Sequence, residues 1–330
     1  MKVYKTKHTI KPTISVVIPN WNGAGVILDC LKSIASQSHN PVEIIVVDNG
    51  SVDNSIELIK NNYPGVVIIR NKKNLGFAEG VNIGIRAAKA EYVFLFNNDA
   101  ECTKNCLSEL VKTAVREKSD MTQAVILTAN GKLIDSVGDE YSTWGLPYPG
   151  MRNQPASQLP DADQAIFSAS GGASLYKKSL FDEVGYFDGS FFAYYEDVDI
   201  SMRAQLMGKT IYLSSKAIVH HKMNYTADKI PGFSREMAIK NSIYLFWKNL
   251  PFPLILKILP GFLYSNIRMT GAALTKGYPL AAIKAQLTAL VNFPSIIIKR
   301  HHIQSSKQLS SAQFERLLSK QNPLKAVKKV

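Results

Sequence analysis

Four stretches of the chain have residue types and spacing that suit chemistry. Pro19-Asn-Trp-Asn22 follows the apolar run Ile14-Ser-Val-Val-Ile18. Asp48-Asn-Gly-Ser51 follows Glu43-Ile-Ile-Val-Val47, and Asn97-Asn98-Asp99 follows Tyr92-Val-Phe-Leu-Phe96. Turns favour Asn, Asp, Gly and Ser anyway, so one such cluster carries little weight. Three of them, each closing an apolar run, point to a shared ligand edge. Asp99 behind two asparagines offers hard oxygen donors, which suit Mg²⁺ or Mn²⁺ holding a diphosphate. The bland alternative is an N-cap for the helix after Thr103.

The fourth stretch is Glu196-Asp197-Val-Asp199, after the aromatic run Phe191 to Tyr195. Carboxylates this close repel one another, and the raised pKa that follows suits a general base. Capping of a helix from Ile200 to Met207 by Asp197 or Asp199 is the competing reading. Arg203 is either a helical ion-pair partner or a phosphate clamp. His220-His221 closes another apolar run, and imidazole is a good ligand for Mn²⁺, although a histidine pair is more often structural. His301-His302 has no acidic neighbours and is given no metal role. Asn74-Leu-Gly76-Phe-Ala-Glu-Gly80-Val-Asn82 opens a helix with glycines that let backbone pass close to a ligand. Its spacing is neither a dinucleotide fingerprint nor a P-loop.

The elements that must position these residues alternate. Strands at Ile14–Ile18, Glu43–Val47, Val66–Ile69 and Tyr92–Phe96 are separated by helices at Val26–Gln37, up to Asn61, and Gly76–Ala88. Near-continuous apolar strands of this kind form a mostly parallel sheet covered on both faces. Ligands bind such sheets beyond the carboxyl ends of the strands. Residues 120–225 are less regular. They comprise a loop over the sheet at Trp144–Pro160, a small-residue strand at Phe167–Tyr176, a short helix at Ser179–Val184, and strands at Thr210–Leu213 and Ala217–His220.

The chain has 330 residues, 46% hydrophobic and 20% charged, which excludes intrinsic disorder. Its net charge of +13 sits wholly in residues 231–330, where 15 basic residues face only Glu236 and Glu315. The rest is neutral, which argues against a body wrapped around nucleic acid. The aromatics of the basic region are not interleaved with its Lys and Arg, so a nucleic-acid-binding module is the weaker alternative. Met1–Thr13 lacks the apolar stretch of a signal peptide. Cys30, Cys102 and Cys106 fit reduced thiols in the cytoplasm. No run of about 18 uncharged apolar residues is present, so no clear spanning helix is expected. Helical patterns at Glu236–Leu250 and Leu280–Ile298, with basic residues beside apolar faces, suit the surface of an anionic membrane. The alternatives are helices completing the globule or a homodimer contact.

Taken in order, several motifs resemble one family. They are Val-Val-Ile-Pro19-Asn-Trp-Asn22, Val-Val-Asp48-Asn-Gly-Ser, Asn74-Leu-Gly76-Phe-Ala-Glu-Gly-Val-Asn82, Phe-Asn97-Asn98-Asp99, Gly171-Gly-Ala-Ser-Leu-Tyr, and Tyr-Glu196-Asp197-Val-Asp-Ile-Ser-Met-Arg203. The sequence resembles a family-2 inverting glycosyltransferase of the GT-A type, nearest its rhamnosyltransferase-like branch, over residues 14–225. A weaker match covers Arg235…Lys240-Asn241.

The resemblance implies an α/β GT-A nucleotide-sugar-binding fold with a mostly parallel central sheet flanked by helices, plus a C-terminal helical region. It implies a catalytic domain at 1–228 and a basic, apolar helical region at 229–330 that docks to membrane or oligomerises. Asp197 would be the base. Asp99 and His221 would hold Mn²⁺ or Mg²⁺, with His221 fitting better than His220. Pro19, Asn22, Asp48, Asn74, Gly76, Asn82, Asn97, Asn98, Glu196 and Arg203 would surround the nucleotide-sugar. Asn97 stands where the family's first Asp would be. Asp48 would accept the N–H of uracil or thymine, which favours a dTDP or UDP donor. The implied reaction transfers a sugar, rhamnose first and galactose or an N-acetylhexosamine next, to a glycan or lipid-linked acceptor in cell-surface polysaccharide synthesis. The implied place is the cytoplasmic face of the membrane. A nucleotidyltransferase would carry a basic residue in its first loop, and Pro19–Gly25 has none.

Overall fold

The structure is a computed structural model that describes residues 12–222 and 230–326. The boundary at 228/229 lies outside the described residues, as do Asn224-Tyr-Thr226. The chain begins β1 (Ile14–Asn20), α1 (Ile27–Ala35), β2 (Glu43–Asp48), α2 (Ser55–Asn62), β3 (Val67–Arg70), α3 (Gly76–Ala87) and β4 (Tyr92–Phe96). These four strands are parallel in the order β3-β2-β1-β4. Side chains alternate across the sheet, and so does the core. Val16, Ile18, Phe94 and Phe96 pack against α1 on one face. Val17, Val47, Val93 and Leu95 pack against α3 on the other. Both faces are apolar because both are covered, which is why these strands read as unbroken hydrophobic runs.

The chain continues through β5 (Ala100–Cys102), α4 (Cys106–Arg116), β6 (Met121–Thr128), β7 (Ile134–Ser136), β8 (Asp139–Tyr141), β9 (Pro147–Pro149), β10 (Gln164–Ala165), β11 (Ala173–Lys177), α5 (Leu180–Val184), α6 (Glu196–Leu206) and β12 (Ile211–His221), with β8 and β9 paired in a separate two-stranded sheet. Strand β11 runs antiparallel between β4 and β6. The less regular section therefore contains a long strand, β6, that the sequence pattern did not reveal. Thr122 and Gln123 interrupt its apolar run, and Gln123 is buried only because its amide donates to Ser136 Oγ and accepts from Ser170 N–H. The two strands expected at 210–220 are one strand, β12, parallel to β6, with a register shift between Ser214 and Ile218. The acidic cluster is not ahead of a helix from Ile200: α6 starts at Glu196, so the cluster occupies its first turn.

The C-terminal part is α7 (Phe233–Asn249), α8 (Phe252–Thr275), α9 (Pro279–Ser306), α10 (Ser311–Glu315) and α11 (Pro323–Ala326). Prolines did not stop α8. Pro251 is its N-cap and Pro253 lies in the first turn, where no N–H partner is lost. A third core joins Val198, Met202 and Leu206 of α6 to Tyr244, Phe246, Leu254 and Phe262. Each such fully buried side chain contributes about 1.5–3 kcal/mol. Ion pairs reinforce this seam. Lys248 Nζ lies 2.6 Å from Asp188 and 2.8 Å from Asp199, and Lys299 Nζ lies 2.6 Å from Asp188.

Contrary to the sequence expectation, one helix among the described residues, α9, is long and apolar enough to cross a membrane by length and composition, with 22% of that stretch buried. Its apolar content carries the interruption by Lys284. Large exposed side chains repeat along α8 at Phe252, Leu256, Leu263 and Ile267, and along α9 at Leu280, Ile283, Leu287, Leu290 and Ile298. Steps of three and four residues put each set on one face of its helix.

Candidate active site

A cavity of about 560 Å³ lies over the carboxyl ends of β1 and β4, where adjacent parallel strands place a ligand crevice. Pro19, Asn74, Gly76, Asn97, Asn98, Asp99, Glu196, Asp197 and His221 all line it. The structure thus gathers residues from five separate stretches of sequence. Asn98 Nδ2 donates to Asn20 Oδ1 at 2.9 Å, tying the ends of β4 and β1 together. Asn74 Oδ1 accepts from Gly76 N–H at 2.8 Å and fixes the start of α3.

Asp99 and His221 meet because β12 runs antiparallel to β5, with His221 opposite Ala100. His221 Nε2 lies 3.0 Å from Asp99 Oδ1, and its Nδ1 lies 2.9 Å from Asp135 Oδ2. Arg152 Nε donates to Asp135 Oδ1 at 3.0 Å. A histidine whose second nitrogen is held by a carboxylate is oriented as metal-binding histidines are. Burial acts to lower the His221 pKa, but hydrogen bonds to Asp135 and Asp99 outweigh it and raise it to about 9. Burial likewise raises the Asp135 carboxyl, and His221 and Arg152 overcome that and hold it low. Asn97 Nδ2 stands 3.5 Å from the same Nε2. Among the described residues no group of three or more His, Cys, Asp or Glu is arranged to hold a metal ion. Asp99 and His221 offer one hard oxygen and one imidazole nitrogen at this point. That set fits a divalent cation whose other ligands are diphosphate oxygens and water. His220 does not line the cavity; its ring faces Gly131.

Glu196 and Asp197 line the same cavity. Asp197 Oδ2 accepts from Gly171 N–H at 3.0 Å and Oδ1 from Val198 N–H at 2.8 Å. Burial raises the Asp197 carboxyl, and these N–H groups oppose the shift. Glu196 is pushed well above its usual range by burial and then by Asp197, and its Oε2 is buried without a hydrogen-bond partner among the described residues.

Four predicted residues do not line the cavity. Asn22 adopts φ 51° and spends its amide oxygen on Val52 N–H at 2.9 Å. Asp48 is fully buried, accepts from Asn20 Nδ2 and the Ser51 N–H, and pairs with Arg70 at 3.6 Å. Asn82 bridges α3 to the backbone of Phe187, donating to its carbonyl at 2.8 Å and accepting from its N–H at 3.0 Å. Arg203 is the ion-pair partner of Asp199, not a phosphate clamp. Its remaining donors hold the carbonyls of Val184 and Tyr186.

Sequence reasoning missed Asp135, Asp139 and Arg152, which also line the cavity. The run Asp135-Ser-Val-Gly-Asp139, two carboxylates about a turn glycine, was their only signal. Asp139 has no side-chain hydrogen bond among the described residues; burial and then the Asp197 charge raise its pKa to about 8.

A mostly parallel sheet with this crevice at its carboxyl edge is that of the GT-A fold. Residues 15–185 match the model of glycosyl transferase family 2, and the chain belongs to that family. It is 26% identical over 240 residues to the N-acetylglucosaminyl-diphospho-decaprenol L-rhamnosyltransferase of Mycobacterium tuberculosis, covering 66% of this chain and 78% of the relative. In fold it resembles GalNAc-T7 with UDP, GalNAc and Mn²⁺ (TM-score 0.58, 18% identity, 82% of this chain and 59% of that one). It also resembles the mannosyltransferase PcManGT from Pyrobaculum calidifontis with GDP-Man and Mn²⁺ (TM-score 0.55, 16% identity, 90% and 86%).

Proposed function

We propose that the protein is an inverting, metal-assisted glycosyltransferase that moves rhamnose from a dTDP donor to a lipid-linked or glycan acceptor in cell-surface polysaccharide synthesis. The observation that carries this is one cavity lined both by the Asp99–His221 pair and by Asp197. The mycobacterial relative, named for L-rhamnose and a diphospho-decaprenol acceptor, supports the choice of sugar and acceptor.

Asp197 takes the proton from the acceptor hydroxyl as that oxygen attacks the anomeric carbon from the face opposite the diphosphate. Its raised pKa keeps it basic enough for this, and the Gly171 and Val198 N–H groups fix its direction. Pro19, Asn74 and Gly76 line the nucleotide end, and Asp48 fixes Asn20 and the Ser51 amide behind it. Asn97 and Asn98 border the diphosphate. A divalent cation held by Asp99 and His221 supplies charge neutralisation to the leaving diphosphate when bound.

The functional division falls near 228/229, with the basic C-terminal helices docking on an anionic membrane. The exposed apolar faces of α8 and α9, flanked by Lys257, Arg268, Lys276 and Lys284, support this. The test is turnover of a donor panel (dTDP-rhamnose, UDP-galactose, UDP-N-acetylglucosamine, GDP-mannose) with Mn²⁺. Product from dTDP-rhamnose, lost in Asp197→Asn with dTDP binding kept, is the expected result. Turnover of another donor alone would refute the rhamnose assignment.

A further inference from the structure

The segment that delivers Glu196 and Asp197 to the cavity is an unusual piece of backbone. Phe192, Tyr194 and Tyr195 all have positive φ, at 66°, 67° and 70°. Such conformations are rare for non-glycine residues and persist only where the surroundings over-determine them. Phe192 is the centre of a γ-turn, with φ 66° and ψ −64° and a bond from Ala193 N–H to Phe191 C=O at 2.8 Å, a form that is seldom seen and strained. Tyr195, left-handed at φ 70°, is the N-cap that starts α6. Relaxation of this segment would turn the first residues of α6 away from the cavity.

Its backbone is held from outside at the carbonyls of residues 190–194. Asn241 Nδ2 lies 3.1 Å from Phe191 C=O, 2.8 Å from Ala193 C=O and 2.6 Å from Tyr194 C=O. Lys240 Nζ donates to Ser190 C=O at 3.0 Å and to Phe191 C=O at 3.2 Å. Phe192 C=O accepts from Ala78 N–H at 3.2 Å and lies where a Cβ on Gly76 would meet it at 2.4 Å. Tyr195 C=O accepts from Asp199 N–H. Asn241 is 0% exposed and Lys240 4%. A lysine is almost never buried to this degree without partners, and here its ammonium is spent on backbone oxygens.

We infer that Lys240 and Asn241 of α7 are positioning residues for the transfer reaction, holding residues 190–195 in the strained form that aims Asp197 into the cavity. Neither lines the cavity, so both act through the backbone that carries the base. The inference rests on Asp197 being the base. It also gives the C-terminal helices a task besides docking, since α7 is the first of them.

The experiment compares Asn241→Ala and Lys240→Met with Ser242→Ala in the full chain. Ser242 is equally buried on the same helix, but its Oγ donates to Ile239 C=O within it. Three readouts are taken: binding of dTDP and UDP with Mn²⁺, turnover of dTDP-rhamnose, and hydrogen exchange of the backbone amides. In Asn241→Ala, exchange across 190–199 should speed at least tenfold while that of β1 and β4 stays unchanged. Turnover should fall about 100-fold, the scale of a 1 Å misplacement of a reacting group, and nucleotide affinity should hold within twofold. Lys240→Arg should recover most of what Lys240→Met loses, and Ser242→Ala should match the wild type. Unchanged exchange across 190–199 would overturn the inference, as would losses in Ser242→Ala equal to those in Asn241→Ala. Faster exchange with normal turnover would also overturn it, since the segment would then not be aiming the base; normal turnover in Asp197→Asn would instead overturn Asp197 as the base.

Discussion

His221 faces Asp99 across 3.0 Å although 122 residues separate them in the chain. The antiparallel pairing of β12 with β5 brings the two together, and Asp135 on the far side of the imidazole fixes its orientation. The proposed response to metal rests on this pair.

Chelation should abolish turnover, and Mn²⁺ should restore it. Asp135→Asn leaves both proposed ligands in place but frees the ring, so Mn²⁺-dependent nucleotide binding should weaken by about 10–100-fold, the usual effect of an outer partner. Asp99→Asn should cost at least as much. Calorimetry of UDP and dTDP with and without Mn²⁺ measures all three.

The acidic limb of kcat/KM should report Asp197. Its pKa is raised, so activity rises with pH through a value above that of an ordinary aspartate. Asp139 shares the cavity and carries its own raised pKa of about 8. Burial and then the Asp197 charge cause that rise, so Asp139 ionises after Asp197 and is neutral while Asp197 titrates. Asp139→Asn should therefore leave the rising limb in place, and a limb that moves to lower pH would show that the two carboxylates titrate together.

Burial raises the Asp188 carboxyl, but Lys248 and Lys299 outweigh it and hold it far below the usual range. A carboxyl depressed in the folded state stabilises above its unfolded pKa of about 3.9, and that contribution is lost as pH falls. Asp188→Asn should cost about 3 kcal/mol at pH 7, the low end for breaking a buried pair, because Lys248 keeps Asp199. Urea unfolding should show the gap between wild type and variant narrowing below pH 4.

Vesicle flotation tests the apolar faces. Ile283→Glu and Leu287→Glu change exposed positions, so stability should move by no more than about 0.5 kcal/mol. Binding to anionic vesicles should fall sharply, while turnover of a soluble acceptor is kept. Equal binding to neutral vesicles at high salt would remove the electrostatic part of the proposal.

The four parallel strands and the residues at their ends were legible because a doubly covered sheet writes itself as unbroken apolar runs closed by turns. Strand β6 was hidden by Thr122 and Gln123, and the burial of Gln123 depends on partners at Ser136 and Ser170 that no local pattern announces. Helix α8 was obscured by its prolines, of which Pro251 and Pro253 fall at the start where a helix tolerates them and Pro260 lies inside it. Asp135 and Asp139 sit on strands three residues long, too short for periodicity to register. Arg203 and Asn82 were drawn to the ligand by their motifs, yet each is consumed by distant backbone, a contact that only the fold reveals.

The bulge in β12 decides which of two adjacent histidines faces the cavity. Side chains alternate along a strand, so the residues between Ser214 and Ile218 set the parity of everything after them. Lengthening that bulge by one residue, with the strand shifted to match, would deliver His220 where His221 now stands. Shortening it by one would deliver Lys222, a cation in place of a ligand. The doubled histidine therefore makes the strand tolerant of an insertion and intolerant of a deletion.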